Sequence, residues 1–121
     1  MPPITSAEAV IMEALWRRSP LAAEEIAGEI GDAQDWSFGT VKTLINRLLK
    51  KKAITATPDR RRYLYEPVLQ REEYVLAESQ GLIDRLFAGR VAPLVSYFSQ
   101  ARQLSDQDIA ELKRLIAELE K

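Results

Sequence analysis

Apolar residues recur at helical spacing through most of the chain, and the clearest stripe lies between Ser37 and Lys52. Its members stand at i, i+3, i+4, i+7 and i+8, the spacing of one buried helix face: Val41, Leu44, Ile45, Leu48 and Leu49. Ser37 is expected to cap this helix, because its hydroxyl can accept a hydrogen bond from a free N–H of the first turn. The pattern predicts an amphipathic helix at the centre of the chain.

A shorter amphipathic helix is predicted near the N-terminus. It opens with the capping-box form T-x-x-E, in which Thr5 caps the helix and Glu8 reaches back to it. Its buried face holds Ile11, Met12, Leu15 and Trp16. The helix is expected to run to about Arg18 and to end before Pro20, because the residue before a proline avoids the α region.

A second helix is expected from about Ala22 to Ile30, with Gly31 as its C-terminal stop. Residues 32–36 then form a polar connection into the central helix. Three helices in quick succession, the third of them basic, follow the helix-turn-helix plan, in which the third element lies in the major groove of DNA.

Two β-prone runs, Ile54–Thr57 and Tyr63–Tyr65, follow the central helix, and the turn-rich basic segment Pro58–Arg62 separates them. They predict a β-hairpin, and the order helix, helix, basic helix, hairpin is that of a winged helix. Tyr63 and Tyr65 fall on one strand face and are expected to pack on the core.

Three further apolar stripes follow the hairpin, at about 70–87, at 91–100 and after the capping residue Ser105. One small helical piece cannot bury all three, so an isologous homodimer is expected. Its contact residues are Leu82, Leu86, Phe87, Leu94, Phe98, Ile109, Leu112 and Ile116. The alternative is a monomer in which these helices fold back on the winged domain.

The predicted fold class is therefore mainly α with a small β-hairpin wing. An N-terminal winged helix-turn-helix is expected to occupy residues 1–69, and a C-terminal helical dimerisation domain residues 70–121.

The composition excludes several kinds of site. With 46% hydrophobic and 29% charged residues, the chain is typical of a soluble globular protein. It has no cysteine and no histidine, which excludes disulfides, zinc fingers and thiol or imidazole catalysis. We therefore expect no enzyme activity, no cofactor and no metal site. No apolar run approaches the roughly 20 residues that span a bilayer, and no signal-peptide pattern is present, so a cytoplasmic protein without membrane insertion is expected.

The net charge of −1 hides one strongly basic stretch. Residues 1–36 carry seven acids and two bases, and residues 66–121 carry ten acids and seven bases. Residues 37–65 carry eight bases and a single acid, Asp59. So basic a stretch favours a polyanion, and double-stranded DNA is the predicted partner. The alternative is a winged-helix protein-interaction module that docks an acidic partner protein.

The candidate DNA-contacting residues come from the central helix, its cap and the hairpin tip. They are Ser37, Thr40, Lys42, Thr43, Asn46, Arg47, Lys50, Lys51, Arg60, Arg61 and Arg62. Arg47 is suited to guanine O6 and N7, and Asn46 to adenine N6 and N7. The lysines at the helix end and the three tip arginines are expected to contact phosphates, which gives salt-dependent affinity without sequence preference.

The run Thr40–Leu48, T-V-K-T-L-I-N-R-L, is the most specific motif in the chain. It is accompanied by Ala14-Leu15-Trp16, Glu25-Ile26-Ala27, Trp36-Ser37, Tyr63-Leu64-Tyr65-Glu66-Pro67, Leu86-Phe87-Ala88-Gly89, Leu104-Ser105, Ile109 and Glu111-Leu112. On these residues the chain resembles, over nearly its whole length, the penicillinase-repressor family of bacterial regulators (BlaI/MecI/CopY type). The resemblance implies a winged helix, a helical dimerisation domain and repression by binding a dyad operator.

The resemblance also bears on regulation. Members that control β-lactam resistance are inactivated by proteolysis, which makes a regulatory protease a candidate partner. The aligned bond is Tyr97–Phe98, where those members have Asn-Phe. Copper-responsive members carry a cysteine motif that this chain lacks, so copper sensing of that kind is not expected.

Three residues depart from the family pattern. Ala22 stands where a capping threonine is usual, which is expected to cost the second helix about 1 kcal/mol. Lys52 and Arg60 stand where glycine is common and takes a left-handed conformation without steric cost. We expect the helix end or the wing turn to shift there, with the hairpin at 54–65 retained.

Overall fold

The computed structural model describes residues 2–121, apart from the side chain of Asp32. Its elements in order are α1 (Ser6–Arg17), β1 (Leu21–Ala22), α2 (Ala23–Gln34), α3 (Phe38–Lys50), β2 (Ile54–Asp59), β3 (Arg62–Pro67), α4 (Arg71–Phe87), α5 (Val91–Gln100) and α6 (Asp106–Leu119). The predicted fold class, mainly α with a small sheet, is confirmed. Within this range, no helix combines the length and the apolar character needed to cross a membrane.

The internal contacts divide the chain into two units, one ending at Val75 and the other comprising Leu76–Lys121. The boundary predicted from the sequence lies earlier, between residues 69 and 70. The start of α4 belongs to the first unit because Trp16 holds it there. The indole Nε1–H of Trp16 donates to the carbonyl of Leu69 at 2.8 Å, and its ring centroid lies 5.6 Å from that of Tyr74.

The predicted capping box of α1 is confirmed. Thr5 Oγ1 accepts from the backbone N–H of Glu8 at 3.1 Å, and Glu8 Oε1 accepts from the backbone N–H of Thr5 at 2.8 Å. The predicted inner face is also confirmed, since Ile11, Met12 and Leu15 are buried and Trp16 packs half-buried against the core.

Helix α2 does not stop at Gly31, so that prediction is wrong. It continues to Gln34, and Asp35 ends it in a left-handed conformation at φ 56°. Glycine is tolerated inside a helix at a modest cost, and aspartate can adopt the left-handed conformation. At the other end Ala22 gives no side-chain cap, as predicted, and the Glu25 carboxylate accepts from the Ala22 N–H at 2.9 Å.

Strand β1 is an element that the sequence analysis did not predict. It pairs antiparallel with β3, with Leu21 opposite Tyr65 and Ala22 opposite Leu64, so the sheet order is β1-β3-β2. Two residues are too few to give a periodic signal. The pairing fixes the wing against the segment that joins α1 and α2.

The predicted hairpin is confirmed, with longer strands and a shorter tip than expected. β2 and β3 pair along their whole length, so only Arg60 and Arg61 form the turn. Tyr65 is buried as predicted, but Tyr63 is 53% exposed, and the prediction that it packs on the core is wrong. The two rings share a strand face, yet the core covers this face only near Tyr65.

The expected shift at Lys52 and Arg60 is not found. Both adopt the left-handed conformation themselves, at φ 63° and φ 61°. At the end of α3, the N–H of Ala53 donates to the carbonyl of Leu48 and that of Lys52 to the carbonyl of Leu49, each at 3.0 Å. This is the Schellman pairing, and its hydrogen bonds offset the roughly 1–2 kcal/mol that a left-handed residue with a Cβ costs.

The second unit contains most of α4 with α5 and α6. Ser105 caps α6 as predicted, because its hydroxyl oxygen accepts from the N–H of Asp108 at 3.0 Å. Gly89, at φ 80°, follows α4 where a break was predicted. Within Leu76–Lys121 no residue is buried, in contrast to the first unit.

Candidate nucleic-acid interface

Helix α3 presents one buried face and one exposed face, as its sequence predicts. Val41, Leu44, Ile45 and Leu48 are buried, and Leu49 packs at the edge of the core. Ser37 caps the helix, since its Oγ accepts from the N–H of Thr40 at 3.1 Å. The exposed face carries most of the predicted contact residues: Thr40, Thr43, Asn46, Arg47 and Lys50 are exposed, and Lys42 is half-buried beside them.

Two threonine hydroxyls on this face already have partners in the protein. The Oγ1 of Thr40 lies 3.1 Å from the Oγ of Ser37, and the hydroxyl of Thr43 donates to the carbonyl of Gly39 at 3.0 Å. With its proton engaged, Thr43 offers lone pairs only. It is therefore suited to accept from the amino group of adenine or cytosine in a major groove.

Most of the predicted cations on this side carry no internal ion pair. Among the residues that the structure describes, no carboxylate lies within 4.0 Å of the charged groups of Lys42, Arg47, Lys50, Arg60 or Arg61. Cations without an internal partner favour an anionic partner outside the protein.

Arg62 differs from the other tip arginines because two carboxylates hold it. Its guanidinium lies 3.4 Å from Asp59 within the wing and 3.8 Å from Glu25 of α2. Glu25 also accepts from the N–H of Ala22. Arg62 thus ties the wing to the start of α2 while staying half exposed.

The wing and α3 share one groove. A cavity of about 250 Å³ is lined by Ala23, Glu24, Lys42, Arg61, Arg62, Tyr63 and Tyr65. It brings a lysine of α3 next to two arginines of the wing, with one carboxylate at the rim. Lys42 of α3 and Arg61 and Arg62 of the wing therefore line the same groove.

Lys51 is the predicted contact residue that the structure places elsewhere. Its ammonium group pairs with the fully buried carboxylate of Glu8 and donates to the carbonyl of Pro3 at 2.8 Å. Burial by itself raises the pKa of the Glu8 carboxyl. Hydrogen bonds from Lys51 and Thr5, together with the charge of Lys51, outweigh burial and lower that pKa below its ordinary value. Lys51 is a structural cation whose charge is already paired, so we expect no phosphate contact from it.

Two residues in the first turn of α3 were missed by the sequence analysis. Phe38 is 46% exposed, and Gly39 has room for a methyl group, whose nearest neighbour is the Ser37 hydroxyl at 3.7 Å. The sequence gives no signal for the exposure of Phe38, because it stands three residues before Val41 and seven before Ile45, in the spacing of the buried stripe.

The predicted dimerisation residues all lie in the second unit, in two settings. Leu94, Phe98 and Leu112 line a groove of about 260 Å³ between α5 and α6, and Phe87 lies with its ring 5.8 Å from that of Tyr97. Leu82, Leu86, Ile109 and Ile116 are between 38% and 60% exposed. Tyr97 and Phe98, the residues of the cleavage-aligned bond, both lie within α5.

Comparison with known proteins matches this chain to one family. The family model described as Penicillinase repressor matches residues 4–118. The chain is 29% identical over 118 residues to the penicillinase repressor of Bacillus licheniformis, with 98% of this chain and 92% of that protein covered. It is 31% identical over 113 residues to the methicillin resistance regulatory protein MecI of Staphylococcus aureus (strain N315), with 93% and 92% covered.

Among solved structures, the fold is similar to one determined on DNA. The solution structure of the Bacillus licheniformis BlaI monomeric form in complex with the blaP half-operator gives a TM-score of 0.54 at 30% identity. The match covers 60% of this chain and 89% of that one.

Proposed function

The chain belongs to the penicillinase repressor family and is a DNA-binding transcriptional repressor, and we propose that it acts as a homodimer on a dyad operator. The observation that carries the proposal is the exposed face of α3, which has cations and amides but no acid. The basic wing continues this face. We place the protein in the cytoplasm because its proposed target is DNA.

Each α3 would enter the major groove of one half-site. Arg47 and Asn46 are exposed near the middle of the helix and have the geometry for bidentate contacts to guanine and adenine. Lys50, Arg60 and Arg61 carry free charges and would contact phosphates. Arg62 would contribute with part of its charge already neutralised by Asp59 and Glu25.

The second unit supports the homodimer. Its exposed large apolar side chains include Leu82, Leu86, Phe98, Ile109 and Ile116, which we call the C-terminal apolar surface. So many exposed large apolar side chains on one small unit favour a partner that covers them, and identical surfaces on two copies can be self-complementary. Two joined copies would present two recognition helices, as a dyad operator requires.

A matched pair of variants tests whether Arg47 contacts bases and Lys50 contacts phosphates. Arg47→Ala is expected to lower affinity for the selected operator about 10- to 100-fold and to leave affinity for random duplex nearly unchanged. Lys50→Ala is expected to weaken binding to both duplexes alike and to flatten the dependence of log K on log salt concentration. Fluorescence anisotropy at four salt concentrations measures both effects.

Equal losses on operator and random duplex for Arg47→Ala would contradict its role in base reading. If the wild-type protein itself binds every duplex weakly and with little salt dependence, the proposed function fails. The protein-interaction module that docks an acidic protein would then be the better account.

A further inference from the structure

Phe38 is an exposed apolar residue on a helix whose other exposed side chains are polar. It is the first residue of α3, directly after the Ser37 cap, and nearly half of its surface is exposed. Trp36, two residues earlier, is partly buried against the hydrophobic core, whereas Phe38 is 46% exposed. Nearly half of the surface of Phe38 is thus available for contact with a partner.

The position of Phe38 places it where a recognition helix meets bases. In helix-turn-helix proteins the N-terminal residues of that helix contact base edges. A side chain in a helix leans toward the N-terminus, so the ring of a first-turn residue extends beyond the helix start. The next residue, Gly39, has no side chain on the exposed face, which lets a base pair approach the helix backbone closely.

We propose that Phe38 reads a thymine in each half-site by packing its ring on the thymine C5-methyl group. The other groups that base pairs offer for recognition in the major groove are hydrogen-bond donors and acceptors, which a phenyl ring cannot match, while the methyl is apolar. The contact removes both apolar surfaces from water. This inference rests on the proposed function and adds a specificity-determining residue to it.

The test removes the methyl group alone. In the operator selected by the wild-type protein, each thymine of a half-site is replaced in turn by deoxyuridine, which keeps the Watson–Crick pairing. Wild-type protein is expected to lose about fourfold in affinity at one thymine per half-site, the effect of one buried methyl. Phe38→Ala is expected to bind the thymine and deoxyuridine duplexes equally at that position. Phe38→Leu is expected to keep part of the preference.

Val68→Ala serves as the matched control, since it also shortens an exposed apolar side chain of the first unit. It is expected to retain the full thymine preference. The inference is overturned if no thymine gives a loss, or if Phe38→Ala shows the same loss as the wild type. If the protein still selects an operator but gives either of these two results, Phe38 has no role in reading thymine and the proposed function is unaffected. Absence of any selected operator removes both.

Discussion

Replacement of Lys51 by methionine is expected to lower the free energy of unfolding by about 3–5 kcal/mol. The side chain of Glu8 is fully buried, and Lys51 is the cation that pairs with it. Methionine fills a similar volume but leaves the carboxylate buried without an opposite charge. Urea unfolding followed by circular dichroism measures the change, at one fixed protein concentration because a dimer's stability depends on concentration.

Replacement of Glu8, the other member of the ion pair, should lower the free energy of unfolding much less. Glu8→Gln keeps an oxygen that can accept from the Thr5 N–H and from Lys51, and the Lys51 side chain is 22% exposed, so its charge can reach water. We expect a loss of about 1–2 kcal/mol. Adding Glu8→Gln to Lys51→Met should recover part of the stability, because no charge is then left buried.

The difference between the wild type and Lys51→Met should also depend on pH. The pKa of Glu8 is lowered in the folded protein, so the pair stabilises the fold fully above the ordinary carboxyl pKa. This contribution is lost as the pH falls through the lowered pKa. In Lys51→Met the lowering effect of Lys51 is lost while burial and the Thr5 hydrogen bonds remain, so the pKa of Glu8 is higher than in the wild type. As the pH falls, the buried carboxylate of the variant is therefore protonated first. The stabilities of the two proteins should therefore converge as the pH falls from neutral to below the ordinary carboxyl pKa, and a constant difference would contradict the role given to Lys51.

Ile116→Asp is expected to convert the proposed dimer to monomers and to lower operator affinity by about 10²–10⁴-fold, the gain that a second linked contact provides. Ile116 lies on the C-terminal apolar surface and is 54% exposed, so the fold of one copy should tolerate the aspartate. In the proposed dimer the same carboxylate would be buried without a partner. Analytical ultracentrifugation and anisotropy on the operator measure the two effects.

Arg114→Asp is the matched control on the same helix. At 100° per residue, Arg114 lies on the side of α6 opposite the apolar stripe. It should leave the sedimentation coefficient unchanged. A dimer that survives Ile116→Asp, or a wild-type protein that sediments as a monomer at micromolar concentration, would contradict the proposed interface.

The elements that the sequence predicted well are those with local causes. The apolar period of α3 and the caps Thr5, Ser37 and Ser105 act within one turn of helix, and the structure confirms them. The predicted end of α2 was wrong because glycine, here Gly31, can either end a helix or lie inside one.

The features that the sequence did not reveal depend on contacts between distant residues. Strand β1 exists through its pairing with β3, and the exposure of Tyr63 depends on how far the core extends under the wing. Lys51 follows a basic helix, and this position predicts a phosphate contact. In the structure it pairs instead with Glu8, which is 43 residues away in the sequence. No local pattern distinguishes that lysine from Lys50.

Selection from random DNA duplexes with the full chain, followed by footprinting at single-base resolution, tests the central claim most directly. The account predicts an inverted repeat whose half-site centres lie about one helical turn, or a multiple of it, apart, with two copies of the protein bound. Both α3 helices would then be reading the major groove of one duplex. A set of recovered duplexes with no shared motif, bound no better than the starting pool, would contradict it.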